Sequence, residues 1–376
     1  MDSFLHFSLA MTRRLLTAVA ALLLLVAPYG ADAASRGSAK HAPSRKLTKE
    51  ARETFLRSAQ VWMPTNTHEL DIRSGPAGPG AFRPDELVTC DFVTAPRSGS
   101  SKKFNCKLAN GDVVKVRYGA DNPEVEGSVL ATRLLWALGF GADAAYPVRV
   151  VCRGCSDDPW NKRDKIEGSH AFDIATIERK APGHEMHGDP AGWAWRELDV
   201  VDEEHGGAPR PQRDALKLLA VLIQHTDNKA EQQALDCLPG GLERDGSCSK
   251  PFLILHDVGL TFGHANYFNR NATSSVNFEL WARTPIWRNQ EACIGHLGEA
   301  KTGTLADPKI GEDGRAFLAD LLAQLTDQQI HDLFEVGHVE RRSRRPGSSK
   351  PPASIDEWAD AFKQKRADIA STRCPA

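Results

Sequence analysis

Two short stretches carry residue types whose spacing could do chemistry: His225-Thr226-Asp227-Asn228-Lys229-Ala230-Glu231-Gln232 and Leu255-His256-Asp257-Val258-Gly259. The first places an acid, a base and an amide at offsets zero, two and five, directly after the apolar run Leu218-Leu219-Ala220-Val221-Leu222-Ile223. The second ends an apolar strand, Phe252-Leu253-Ile254-Leu255, in Asp-x-Gly. Phosphoryl transfer asks for such a pair. One carboxylate orients or deprotonates the acceptor hydroxyl, and a neighbouring lysine neutralises the moving group. An amide oxygen binds metal, and a second carboxylate at the mouth of a strand holds the metal that bridges the phosphates. Asp227 and Lys229 are the catalytic candidates on this reading, and Gln232 and Asp257 the metal ligands. A rival use of the same residue types is a metal-dependent hydrolase built on His225, Asp227, His256 and Asp257. In a continuing strand, however, His256 and Asp257 would point to opposite faces.

The elements that must position these residues are legible from pattern. Residues 87–93 and 104–108 read as strands, and Asn110-Gly111 is a hairpin turn leading into Val113-Val114-Lys115-Val116-Arg117-Tyr118. Lys115 lies between valines, so it faces the opposite side of the sheet from them. Residues 123–138 follow as a helix with Pro123 in its first turn, Gly139 at its end, and Glu124 and Glu126 near its start. Strands are expected over 145–152 and 172–179. Pro182-Gly183 breaks the chain, and a helix from Asp214 delivers the first motif. Helices over 313–336 and 354–365 complete the pattern, along with an early helix from Leu47 capped by Thr48.

The chain has 376 residues, with 49 Asp plus Glu against 47 Lys plus Arg, so no global field points to nucleic acid. Arg13-Arg14, an apolar run and Ala31-Asp32-Ala33 have the order of a cleaved secretory signal over residues 1–33. No later segment is long and apolar enough to span a membrane, so a secreted or periplasmic location is expected. Eight cysteines fit disulfides in such a compartment. Cys237 with Cys248 and Cys90 with Cys106 are natural pairs, while Cys152-Arg153-Gly154-Cys155 could be half a zinc site, a redox pair or a local disulfide.

Asp227-x-Lys229-x-x-Gln232 resembles the catalytic loop of protein kinases, and Asp257-Val258-Gly259 resembles their Asp-Phe-Gly. Val113-Val114-Lys115 resembles their phosphate-gripping lysine strand. From residue 88 to 336 the order of elements is similar to the protein-kinase-like superfamily, closest to its divergent HipA-type and secretory-pathway branches. The resemblance implies an α+β, two-lobed fold with a small antiparallel-sheet N-lobe (87–180) and a mainly helical C-lobe (181–340). Residues 34–86 would precede it as a helix and a Gly/Pro-rich loop, and 341–376 would follow as a basic linker and terminal helix. It also implies ATP and Mg²⁺ or Mn²⁺ as cofactors and a hydroxyl-bearing acceptor. Lys115 would take the phosphates and Glu124 would pair with it. Glu178 and Arg179 would lie at the adenine contact. Gly-x-Gly-x-x-Gly is absent, and Ser98-Gly99-Ser100-Ser101-Lys102 is the stretch that would cover the phosphates, through Gly99, Ser100 and Lys102. The alternative within the same resemblance is an inactive kinase-fold module that binds nucleotide or works by interaction.

Overall fold

The computed structural model describes residues 46–96, 99, 101–263, 276–298, 303–342 and 353–375. The expected signal segment, Ser100 and most of the basic linker therefore lie outside the described residues. Helix α1 (Lys49–Ser58) starts where Thr48 accepts a hydrogen bond from the Ala51 amide at 3.2 Å, a standard N-cap. Strands β1 (Glu86–Val93), β2 (Lys103–Lys107) and β3 (Val113–Tyr118) form the expected meander, followed by α2 (Glu124–Ala137), β4 (Ala144–Arg153) and β5 (Ser169–Arg179).

The five strands close into a barrel in the order β1-β2-β3-β5-β4. A plain antiparallel sheet was expected, and one seam departs from it: β1 pairs in parallel with β4 from Glu86 opposite Val148 to Asp91 opposite Arg153. Closure removes the two edges that an open five-stranded sheet would leave with unpaired backbone groups. Val88, Cys90, Phe92, Phe104, Val114, Val116 and Ile177 fill the interior. Because side chains alternate along β3, Lys115 and Arg117 project from the outer face. That face meets α2 and the end of a later strand.

Strand β6 (His184–Glu185), α3 (Arg210–Leu222), β7 (Gln233–Cys237) and β8 (Pro251–Leu255) follow, with the order β6-β7-β8 in a second antiparallel sheet. Helix α4 (Phe278–Arg283), the small hairpin β9 (Trp287–Asn289) with β10 (Ile294–Gly295), α5 (Glu312–Ala323), α6 (Asp327–Val336), α7 (Val339–Arg342) and α8 (Ile355–Ser371) make up the rest. A second, larger apolar core runs through α1, α2, α3, α5, α6 and α8. The terminal helix is longer than the sequence pattern suggested and is part of this core: Trp358 and Phe362 are buried against Trp281, Phe334 and Phe262. Among the described residues no helix is long and apolar enough to cross a membrane.

All eight cysteines pair. Cys90–Cys106 and Cys237–Cys248 are joined, Cys152–Cys155 is a local disulfide, and Cys293–Cys374 ties the β9–β10 hairpin to the end of α8. Four disulfides are the pattern of a chain that matures in an oxidising compartment.

Candidate functional site

Helix α3 ends at Leu222, and the chain reverses at Gln224, whose φ of 54° lies in the left-handed region. The Gln224 side-chain amide holds that turn by donating to Val221 O at 3.0 Å and to His296 O at 2.7 Å. The turn delivers Asp227. Its Oδ2 accepts from Gln232 Nε2 at 3.0 Å, and its Oδ1 lies 3.4 Å from Lys229 Nζ. The main-chain oxygen of Gln232 in turn accepts from the amides of His256 and Asp257, at 2.9 and 3.3 Å. One residue thus joins the two motifs, its side chain on Asp227 and its backbone on Asp257.

The Asp257 carboxylate leaves the end of β8 toward the outer face of the barrel, where Arg117 Nη2 meets its Oδ1 at 2.7 Å. Arg117 is 1% exposed and also binds Glu124 Oε2 at 2.9 Å and the Glu178 carboxylate. Burial alone would lower its pKa, but Glu178, Asp257 and Glu124 outweigh burial and raise it well above the usual arginine value. Burial pushes Glu178 and Asp257 upward, yet Arg117 leads the cations that hold both below the ordinary carboxylate range. The two glycines at the helix–strand contact make this cluster possible. A Cβ on Gly127 would come within 2.1 Å of Gly259 O, and one on Gly259 within 2.8 Å of the Glu124 Cβ. Gly259 therefore serves the close approach of α2.

The expected Lys115–Glu124 pair does not form. Lys115 Nζ lies 2.5 Å from Glu178 Oε1, and Glu124 faces Arg117, two residues farther along β3. Both side chains project from the same face of the strand, and the first turn of α2 lies over the later one. The Glu178 side chain therefore enters the ion cluster. The expectation that it would stand at an adenine contact concerned position only. Arg179 turns to Gly80 O at 3.0 Å and Asp112 at 3.0 Å, and packs over the Phe82 ring. Lys102 pairs with Asp121 at 2.8 Å. Gly99 has a φ of 70°, and a Cβ there would approach the Lys103 amine to 2.7 Å.

Sequence pattern gave Arg117 and Asn228 no role at this site, while Ser101 falls within the stretch expected over the phosphates. Ser101, 1% exposed, donates to Glu124 Oε2 at 2.8 Å. Lys103 stands opposite Arg117 across the β2–β3 ladder, with no carboxylate in ion-pair range among the described residues. Burial, then the Arg117 charge, lowers its pKa. Alternation along β2 and β3 was the signal that could have placed Lys103, Lys115 and Arg117 on one face. No sequence signal marked Asn228. It is fully buried, and its Oδ1 accepts from the amides of Thr304 and Leu305 at 2.7 and 3.0 Å.

The two histidines of the hydrolase rival do not join the carboxylates. His256 turns away from Asp257 and lies 2.9 Å from Asp143 Oδ2, with Glu185 at 3.8 Å on its other nitrogen. His225 is 1% exposed, and neither ring nitrogen has a hydrogen-bond partner among the described residues; burial lowers its pKa to about 4. Divalent magnesium takes hard oxygen ligands and uses one or two carboxylates plus phosphates and water. Asp257 fits that role: its side chain is 35% exposed, and among the described residues only Oδ1 is engaged. Gln232 fits it poorly in the observed orientation, since its amide oxygen faces the Lys229 amide at 3.3 Å.

No family model matches the chain, and no curated protein matches it. Among solved structures it is similar to a Helicobacter pylori proinflammatory kinase, CtkA. The TM-score is 0.39 at 9% identity, over 77% of this chain and 95% of that one.

Proposed function

We propose that the chain is an exported, ATP-dependent phosphotransferase that uses a divalent metal. The carrying observation is that Asp227 and Asp257 share a single connecting residue, Gln232, while Asp257 also meets the cationic outer face of the barrel. Asp227 would orient the acceptor hydroxyl and accept its proton, with Lys229 beside it to balance charge. Lys103 and Lys115 would face the triphosphate, and Asp257 would hold Mg²⁺ or Mn²⁺. The metal's contribution is to neutralise charge between the phosphates. Arg117 fixes the Asp257 carboxylate relative to α2 and β3 and touches no reacting atom.

The test is ATP binding and turnover with Mg²⁺ or Mn²⁺, comparing the intact chain with Asp257→Ala and Lys115→Ala. Both variants should lose turnover by about a hundredfold or more. Turnover that survives in both removes the mechanism. A second reading, an interaction module that binds nucleotide without turning it over, draws on the Arg117–Asp257 ion pair, in which a guanidinium already balances the metal-binding carboxylate. Metal-independent ATP binding with no turnover would select it.

A further inference from the structure

A cavity of 490 Å³ opens beside the catalytic loop, and nothing above assigns it a ligand. One wall is the stretch Thr304-Leu305-Ala306, which Asn228 fastens to the residue after Asp227. Thr304 Oγ1 also accepts from the Trp195 amide at 3.0 Å, closing the wall on the other side. Asp227 itself does not line the cavity; the link between them is the wall that Asn228 holds.

The charge of the lining is lopsided. Arg196, Arg210, Arg213, Lys217 and Lys309 contribute five cations against the two carboxylates of Asp199 and Asp214. Both carboxylates are already used within the fold. Asp199 lies 2.9 Å from Lys217 Nζ, while Asp214 lies 3.4 Å from Arg210 Nε and accepts from the Gly311 amide at 3.2 Å. Arg196, Arg213 and Lys309 have no carboxylate partner among the described residues. Arg213 donates Nη1 to Leu198 O at 2.6 Å, and its Nε is buried with no acceptor among the described residues.

We propose that this cavity docks an acidic peptide segment of a partner protein. The binding stands on the cavity alone, and only the fate of the bound segment rests on the phosphotransfer reading. The three unpaired cations come from three separate segments, the 3₁₀ turn Trp195–Asp199, helix α3 and the stretch before α5, with the apolar Leu305 and Pro308 between them. Carboxylates spaced along a chain match that distribution; one compact phosphate would be met by converging donors.

The experiment measures binding of a fluorescent oligoglutamate peptide, its oligoglutamine counterpart and inorganic pyrophosphate to the full chain. The variants are Arg196→Glu and Lys309→Glu, both exposed residues without ion pairs among the described residues. Oligoglutamate should bind, weaken as salt rises, and lose about tenfold or more in affinity in each variant, while oligoglutamine stays unbound. Pyrophosphate binding without oligoglutamate binding, or oligoglutamate affinity unchanged by both variants, overturns the proposal. ATP binding on the same samples separates the two readings. If ATP binds and the peptide does not, docking alone fails. If the peptide binds and ATP does not, the phosphotransfer reading fails and the docking site stands.

Discussion

Arg117 Nη2 lies 2.7 Å from Asp257 Oδ1, so a strand of the barrel and the end of β8, far apart in sequence, meet through one guanidinium–carboxylate pair. The same guanidinium holds Glu124 and Glu178, and it is the group on which the cluster turns. Replacing a buried ion cluster with apolar groups can be harmless, but removing one partner strands the others. Arg117→Met should therefore destabilise the fold by about 3–5 kcal/mol, measured as a shift of the urea midpoint at constant slope. Arg117→Lys, which keeps the charge but loses the fork, should cost less. A loss under about 1 kcal/mol in Arg117→Met would mean that the three carboxylates do not depend on it.

Asn228 predicts a local effect. Its Oδ1 serves Thr304 and Leu305, and its Nδ2 donates to His225 O and Leu305 O at 2.9 and 3.1 Å. Asn228→Ala leaves the Leu305 amide without its acceptor and should cost about 2 kcal/mol. Amide hydrogen exchange should accelerate at 304 and 305 while the barrel strands keep their protection. Uniform acceleration throughout would contradict a local pin.

Two buried groups give opposing pH dependence. Burial depresses His225 from 6.5 to about 4, so the unfolded chain binds the proton more readily. Its contribution is present above pH 6.5 and is lost as pH falls toward 4, by about 3 kcal/mol at most. Burial raises Asp236 from 3.8 to about 6, so here the folded chain binds the proton more readily. Stability falls as pH rises through that window, on the order of 1 kcal/mol once solvent screening is allowed for. Between pH 4 and 6 the slopes oppose. Asp236→Asn should leave stability rising with pH in this window, and His225→Phe should leave it falling. Denaturant midpoints at several pH values check both, and parallel profiles for the two variants would refute the assignment.

The Cys293–Cys374 disulfide joins residues 81 apart and secures α8. Restraint of the unfolded chain over a loop of that length predicts about 4 kcal/mol, and measured losses commonly reach about 2–4. The double change Cys293→Ser with Cys374→Ser should lower the thermal midpoint and make it insensitive to breaking that bridge. Because Trp358 and Phe362 belong to the shared core, their fluorescence environment should change in the same transition. An unchanged midpoint would show that α8 is held by packing alone.

Much of the local structure was legible. Alternation set β1 to β5, Asn110-Gly111 set a hairpin, and the mostly apolar second half of α3 announced a helix packed on a core, because backbone periodicity is a local property. Asp227, Gln232 and Asp257 stood out for the same reason, through spacing along the chain. The parallel β1–β4 seam, the capture of Glu124 by Arg117 in place of Lys115, the gathering of Trp195, Arg213 and Lys309 around one cavity, and the burial of α8 were not legible. Each depends on which faces of distant segments come together. Short-range pattern fixes which way a side chain points from its own strand or helix, but only the packed chain decides what it meets.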